Sequence, residues 1–379
     1  MNYQKLKEEI IIYSQEIGIN KIGFTTANTF GEMKNRLICQ AELGYQSGFE
    51  EPDIDKRVHP DLIFPEPRSI ISIAIAYPSK MKDAPKSKKG ERRGIFARAS
   101  WGTDYHVILR DKLKQLEEFI QRKVPEAVTK SMVDTGELVD RAVAERAGIG
   151  WSGKNCSIIT PEFGSYVYLG EMITNLPFEP DQPMEDRCGN CNKCIDVCPT
   201  GALVAGGQLN AQRCIAFLTQ TKGFLPDEFR TKIGNRLYGC DTCQTVCPEN
   251  KGKDFHLHPE TEPDPEIAKP LLKPLLSISN RDFKEKFGHV SGSWRGKKPI
   301  QRNAIIALAH YKDETALPDL IKVLREDTRP VIRGTAAWAI GKIGGPEAEI
   351  QLRHALERET DEEVLIEIKK GMRFLETAQ

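Results

Sequence analysis

Eight of the ten cysteines in this chain fall between Cys188 and Cys247. Cys188-x2-Cys191-x2-Cys194-x3-Cys198-Pro199 has the complete spacing of a bacterial ferredoxin run. Three thiolates so spaced reach three irons of one cubane, and the fourth, followed by proline, turns away to serve a second cluster. A second run is incomplete, Cys240-x2-Cys243-x3-Cys247-Pro248, and Cys214 supplies its missing first position from upstream. The crossed pattern predicts two [4Fe–4S] clusters, one on Cys188, Cys191, Cys194 and Cys247, the other on Cys198, Cys214, Cys240 and Cys243. Zinc takes four ligands and has no use for a motif written nearly twice. Cys39 and Cys156 stand alone and read as packed thiols. Iron–sulfur clusters pass electrons singly. A bare ferredoxin needs far fewer than 379 residues, so the electrons are used here or on a bound substrate.

Three other segments have the residue types of a site. Gly148-Ile-Gly150-Trp-Ser-Gly153-Lys154 matches GxGxxG and nearly matches a P-loop, with Asn155 where Ser or Thr should hold magnesium. Both motifs need a strand before the loop and a helix after it. Here a helix precedes, and residues 156–160 read as a strand, so dinucleotide and ATP binding are rejected. A loop with exposed backbone donors and one lysine is left for some other polar ligand. Asp104-Tyr-His106-Val-Ile-Leu109 begins like the DxHxxG signature that gives cobalt an axial histidine, but Leu109 replaces the glycine. His106 then reads as a helix-start or pocket-wall residue. Asp134 stands where a strand ends and a helix begins, a usual place for active residues in α/β folds. Asp134-x-x-Glu137 before Leu138 is also a capping box, which would lower the Asp134 pKa.

These residues must be carried by more than one domain, since 379 residues correspond to two or three at about 150 each. The pattern to about residue 180 alternates: helix 3–17, strand 21–25, a buried strand 68–77 stopped by Pro78, helix 105–123, a strand end at 131–133, helix 138–147 closed by Gly148, strand 165–174. The sheet order is not readable. Pro177, Pro180 and Pro183 mark a linker into the cysteine-rich part, and residues 256–295 look irregular. From Pro299 a period of 32 appears: Ala304, Ala307, Leu308 and Ala309 recur as Ala336, Ala339, Ile340 and Gly341. Small residues on one helix of each pair allow close stacking, as in HEAT-like repeats, with 363–374 as a closing helix. The plain alternative is a helical bundle. The fold class is thus α+β: an α/β domain at 1–180, a ferredoxin-like double-cluster domain at 181–255, a connecting basic segment at 256–298 and helical repeats at 299–379.

Lys+Arg and Asp+Glu are both 54, which excludes a globally basic nucleic-acid binder but not a local patch. No apolar run approaches a membrane span, the N-terminus does not read as a signal peptide, and reduced thiols predict a cytoplasmic protein.

Val133-Asp-Thr-Gly-Glu-Leu-Val-Asp-Arg141, Ala147-Gly-Ile-Gly-Trp-Ser-Gly-Lys-Asn155, the split cysteine run and the helical tail occur together in this order. In this combination the whole chain resembles the epoxyqueuosine reductases, the last enzymes of queuosine biosynthesis on tRNA. The resemblance implies a base-off cobalamin beside the second cluster, and reduction of an epoxycyclopentanediol on the wobble nucleoside to a cyclopentenediol with loss of water. Cobalt(I) would act as nucleophile, and the departing oxygen needs a general acid. The family's proton donor falls on Asp134. Cobalamin contacts are implied at Arg57, Asp134, Lys154, Asn155 and Asp241. An external electron donor is implied, and the chain reads as a monomer. A corrinoid reductase of a small molecule and a non-enzymatic electron-transfer scaffold are the rivals.

A tRNA partner directs attention to two basic groups. Residues 80–98 carry Lys80, Lys82, Lys86, Lys88, Lys89, Arg92, Arg93 and Arg98 against Asp83 and Glu91. Arg281, Lys284, Lys286, Arg295, Lys297, Lys298 and Arg302 surround the start of the repeats. Phosphate contacts need such residues; a solvated face is the plain alternative. Trp294 reads as a cap on the first repeat.

Overall fold

Ser69–Ala76 (β2) is buried at every residue. An apolar run without alternation calls for a strand covered on both faces, and β2 lies inside a four-stranded antiparallel sheet. Its companions are Lys21–Thr26 (β1), Thr129–Met132 (β3) and Val167–Thr174 (β4), in the order β1–β2–β4–β3. The computed structural model describes residues 2–377. They fall into two units, each discontinuous in sequence: Met1–Lys80, Thr103–Cys214 and Asp241–Glu262 form the first, and Met81–Gly102, Ile215–Cys240 and Pro263–Gln379 the second.

In the first unit, Tyr3–Glu16 (α1) is capped by Asn2 and Tyr105–Lys123 (α2) by Asp104. Ile108, Leu109, Leu113, Leu116 and Ile120 make one apolar stripe on α2, packed on β3 and β4. Asp140–Arg146 (α3) buries Ala142, Val143 and Ala144 against the sheet. The sequence places its start at 138; it starts at 140 because residues 134–139 are spent on a turn. The capping-box reading falls with that. The residue before α3 is Val139, with no side-chain cap, and Glu137 pairs instead with Lys130 at 2.7 Å.

In the second unit, Lys297–His310 (α4), Leu317–Glu326 (α5), Pro330–Ile343 (α6), Pro346–Arg358 (α7) and Glu362–Glu376 (α8) form the repeats. Ala304, Ala307, Ala336, Ala337 and Ala339 are buried without remainder. A Cβ on Gly341 would meet the Gly371 carbonyl oxygen of α8 at 2.2 Å, so this member of the alanine row must be glycine. Residues 256–295, expected to be irregular, contain helices Leu272–Ser277 and Asn280–Phe287. Ser279 caps the latter through the Asp282 N–H, and Phe283 and Phe287, four apart, are its buried face.

Arg302 corrects the sequence reading. It is 1% exposed, in a stretch of α4 that is buried on every side from Pro299 to Ala309. Its guanidinium donates to the Leu218, Thr221 and Gly223 carbonyls at 2.8–2.9 Å and to the Asn303 side chain. A basic residue that satisfies three loop carbonyls is a structural tie and is not available to a phosphate.

Candidate functional site

Asp134 follows β3 by two residues and has φ of +53°. It is the centre of a three-residue turn closed by Thr135 N–H to the Val133 carbonyl at 2.5 Å. Aspartate is among the few residues that tolerate this left-handed region. The Asp134 N–H donates to Asp140 Oδ2 at 3.0 Å, and the side chain, 60% exposed, reaches the first turn of α2. There the Tyr105 hydroxyl donates to Asp134 Oδ2 at 2.7 Å, and His106 Nε2 lies 3.6 Å from the same oxygen. His106 Nδ1 is 2.8 Å from Asp104 Oδ1. One imidazole thus stands between two carboxylates.

The electrostatics follow from that geometry. Asp104 first, then Asp134, raise His106 from 6.5 to about 9, so it is an imidazolium at neutral pH. His106 and Tyr105 in turn hold the Asp134 carboxyl below its ordinary range. The conflict that capping posed for a general acid is replaced by another. At neutral pH the proton rests on His106, and Asp134 is the exposed carboxylate that faces outward from it.

Sequence reasoning missed the file of tyrosines beside this group. Tyr105 stacks on Tyr168 at 5.0 Å, and Tyr168 on Tyr77 at 4.4 Å. Asp241 lies near enough to raise the pKa of both Tyr77 and Tyr168, after burial. Asp134 and Asp241, 107 positions apart by their numbers, are therefore linked through three aromatic rings. Arg57, also expected here, is half-buried near Glu50, Arg141 and Asp140. One buried polar atom in this region, the Tyr168 hydroxyl, has no hydrogen-bond partner among the described residues, while His106 Nε2 has the Asp134 carboxylate at 3.6 Å. Such a group costs free energy unless something polar meets it, so the Tyr168 hydroxyl is a candidate contact for a polar ligand.

Cys188, Cys191, Cys194 and Cys247, the first predicted ligand set, line one cavity. Burial first, then the charge of neighbouring cysteines in the set, push the Cys194 and Cys247 thiols up, and a metal that binds such thiols displaces their protons. In the second set, Cys198 Sγ accepts the Ala202 N–H at 3.2 Å. Cys198, Cys214 and Cys243 belong to the first unit, and Cys240 ends a segment of the second. Of the lone thiols, Cys156 is half-buried, but Cys39 is exposed and is not the packed thiol its isolation suggested.

The glycine-rich loop serves this cavity. Lys154 Nζ binds the Gly189 carbonyl at 2.7 Å and Asn192 Oδ1 at 3.0 Å, within the first-cluster loop. Two of the three ammonium donors are therefore engaged there, and the structure does not test the corrin contact expected of Lys154. Asn155 lines the same cavity, its amide nitrogen buried and unpartnered among the described residues. A Cβ at Gly150 would strike the Ile159 carbonyl oxygen at 2.2 Å, so the glycines exist for a tight hairpin, Trp151–Ser152 against Ile158–Ile159. The loop's backbone donors are used internally as well, Ser152 N–H on Glu145 and Gly153 N–H on the Ser157 carbonyl.

The basic residues of the second unit divide. Arg281, Lys284, Lys286 and Lys298 are exposed. Lys297 donates to the Ile278 carbonyl at 2.7 Å and borders a concavity with Asp327 and Arg329. Arg295 lies 4.2 Å over the ring of Trp294. Trp294 itself is 53% exposed, with its indole N–H on Gln220, so it does not cap the repeat by burial. In the earlier group, Arg93 is tied to Glu266 and Arg92 faces Asp313.

Comparisons with known proteins agree with this arrangement. Residues 57–135 match the family described as epoxyqueuosine reductase QueG, DUF1730. Residues 187–250 match a 4Fe-4S double cluster binding domain, and 296–372 match HEAT repeats. The chain is 72% identical over 378 residues to the epoxyqueuosine reductase of Bacillus subtilis, covering 100% of this chain and 98% of that one. It is 32% identical to that of Escherichia coli, over 90% of each. Among solved structures, an epoxyqueuosine reductase with a tRNA-Tyr epoxyqueuosine-modified stem loop matches at TM-score 0.98 and 72% identity, over 99% of this chain and 100% of that one. A Bacillus subtilis epoxyqueuosine reductase with the Asp134 catalytic loop swung out of the active site matches at TM-score 0.97 and 72% identity, with the same coverage.

Proposed function

This chain belongs to the epoxyqueuosine reductase family, and on that premise we propose how its residues divide the work. The chain reduces epoxyqueuosine in tRNA to queuosine, with two [4Fe–4S] clusters and the cobalamin on which the family depends. The net change is epoxide plus two electrons and two protons to alkene plus water. When bound, the cobalamin supplies the reducing centre and the clusters feed it single electrons. We assign the first cluster to Cys188, Cys191, Cys194 and Cys247 and the second to Cys198, Cys214, Cys240 and Cys243. The shared cavity of the first four thiols supports this. Arg57, Asn155 and Asp241 are the candidate cobalamin contacts, with the Tyr168 hydroxyl added. Lys154 goes to the first-cluster loop.

Asp134 is the group that presents a proton to the leaving oxygen, and His106 is its store. The observation that carries this is the chain Asp104–His106–Asp134, in which the imidazolium is held by one carboxylate and faces the other. Tyr105 fixes the direction of the Asp134 carboxylate. The Asp134 loop of the Bacillus subtilis relative, described as catalytic and able to swing out, supports placing the acid on a movable turn. Arg281, Lys284 and Lys298, with the Trp294–Arg295 pair, are the proposed contacts for an anticodon stem-loop. A cytoplasmic monomer served by an external electron donor completes the reading. No helix among the described residues is long and apolar enough to cross a membrane.

The test is Asp134→Asn. Asparagine keeps the shape and tolerates the left-handed turn but has no acidic proton. Single-turnover conversion should fall about 10²-fold or more, with iron, cobalamin and stem-loop binding retained. Near wild-type conversion by a folded Asp134→Asn protein would end the assignment.

A further inference from the structure

We propose that Asn250 is a positioning residue for electron transfer: its side chain ties the segment between Cys243 and Cys247 to the central sheet and so fixes the two clusters relative to each other. The inference rests on the ligand assignment above, in which Cys243 holds the second cluster and Cys247 the first. The two cysteines are four positions apart, so the stretch between them links the two ligand sets directly. Cys194-x3-Cys198 is the other such link. One electron leaves the first cluster, which is oxidised, and enters the second, which is reduced; no bond is made or broken, and the placement of the clusters is what the protein contributes.

Asn250 is 6% exposed, and Ser165, two residues before β4, is 4% exposed. Asn250 Oδ1 accepts the Ser165 N–H at 2.7 Å. Its amide nitrogen donates to Ser165 Oγ at 2.8 Å and to the Gln244 carbonyl at 2.7 Å, which uses both amide hydrogens. The Ser165 hydroxyl donates in turn to Gln244 Oε1 at 2.8 Å, and the Tyr77 hydroxyl to the same oxygen at 3.4 Å. The Gln244 carbonyl also takes the Cys247 N–H at 3.2 Å, and the Cys247 carbonyl takes the Asn250 N–H at 3.1 Å. Gln244, directly after Cys243, is thus held by main chain and side chain, and Cys247 by both of its main-chain groups.

The approach of Asn250 requires a glycine. A Cβ on Gly164, whose φ is +62°, would lie 2.1 Å from Asn250 Oδ1 and displace the carboxamide. Ser165 leads into β4, which is paired to β2 on one side and β3 on the other, so the anchor is the sheet itself. Residues that hold metal ligands without touching the metal orient them and tune the centre, and cluster potentials respond to such surroundings. A second tie joins the same two loops farther along, Lys253 Nζ to the Pro161 carbonyl at 2.6 Å. It holds the loops outside the cysteine stretch and serves as an internal control.

The test is Asn250→Asp in the reconstituted full chain, with Lys253→Met as the control. Aspartate keeps the shape but replaces the amide donor with an oxygen that faces the Gln244 carbonyl. The readouts are iron content, the electron paramagnetic resonance spectrum of the fully reduced protein, in which two neighbouring paramagnetic clusters couple, the midpoint potentials, and single-turnover conversion of the modified stem loop. Both variants should retain about eight irons. Asn250→Asp should alter the coupling, move a midpoint potential and lower conversion about tenfold or more, with stem-loop binding unchanged. Lys253→Met should leave all of these as in the wild type, even where it lowers the unfolding midpoint. Unchanged coupling and potentials in Asn250→Asp, or an equal change in Lys253→Met, would overturn the proposal. If Asn250→Asp loses its iron, Ser165→Ala decides by the same readouts, since it removes the hydroxyl on the sheet side and leaves the cysteine segment as it is. Cys243→Ala and Cys247→Ala separate premise from proposal, because each should disturb a different cluster. Loss of the same cluster from both would refute the ligand assignment and the proposal with it, whereas separate losses with an unmoved Asn250→Asp spectrum refute the positioning alone.

Discussion

His106 offers a direct measurement of the charge arrangement at Asp134. Its pKa is raised from 6.5 to about 9, with the Asp104 hydrogen bond the largest cause and Asp134 the next. A shift of that size corresponds to roughly 3 kcal/mol at the limit. His106 is only half withdrawn from solvent, so screening reduces this to about 1–2 kcal/mol. The sign is set by the direction of the shift. A group whose folded pKa is raised stabilises the fold fully below its unfolded value, and that contribution disappears as pH rises through the folded one. The window is therefore about pH 6.5 to 9. Histidine-selective NMR of the labelled protein should place His106 near 9. Asp104→Asn should lower it more than Asp134→Asn, because Asp104 is the closer partner. Single-turnover conversion should decline as pH rises through the same value, as the store empties. A His106 that titrates near 6.5 in the wild-type protein, or that ignores both substitutions, would refute the paired-carboxylate account.

Anaerobic reconstitution should give about eight irons and eight sulfides per chain. Cys214→Ala should lose one cluster and Cys39→Ala neither, and iron analysis returning about four would refute the crossed assignment. Arg302→Met should cost about 3–5 kcal/mol by denaturant unfolding, since three carbonyls lose their donor. The salt slope of RNA binding should be unchanged in that variant; a changed slope would return Arg302 to the interface. Lys284→Glu with Lys298→Glu should weaken stem-loop binding and flatten its salt dependence, with iron content intact. Unaltered affinity across a salt series would exclude this face.

The double-cluster domain was legible because a cubane imposes its geometry on local spacing. Cysteines spaced like Cys188, Cys191 and Cys194 can reach adjacent irons of one cubane, so the motif is written into the chain directly. The repeats were legible for a similar reason, their alanine rows recurring at a fixed interval. Asp134 was legible as a position but not as an environment. Its partners come from the start of α2, 29 residues upstream by number, and from Asp140 at the start of α3, and only the fold brings these together. Asp134-x-x-Glu137 reads locally as a cap, and the left-handed turn that overrides it has no signature beyond an aspartate that tolerates it. Arg302 failed in the opposite sense. A one-dimensional count of basic residues cannot show that α4 is buried on every side from Pro299 to Ala309.

The proton demand explains why Asp134 is exposed while His106 and Asp104 behind it are partly withdrawn from solvent. Forming water from the epoxide oxygen takes two protons, and the His106–Asp134 couple holds one at neutral pH. The second must enter from outside the couple. A carboxylate sealed inside the protein could give its proton once and would then await reopening. Asp134 keeps 60% of its side chain accessible and is fixed through its amide, so the carboxyl can turn between the substrate oxygen, the imidazolium and solvent without unfolding the turn. His106 cannot replace it in that role. Its Nδ1 is committed to Asp104 and its Nε2 is buried, so its proton leaves only toward Asp134. In the proposed division, histidine is the reservoir and aspartate the carrier. His106→Gln should slow conversion by emptying the reservoir while leaving a slow, buffer-dependent rate, because Asp134 can still be recharged from solvent. Asp134→Asn should leave no such residue. A His106→Gln rate as low as that of Asp134→Asn, and insensitive to buffer concentration, would show that the two groups do not divide the task in this way.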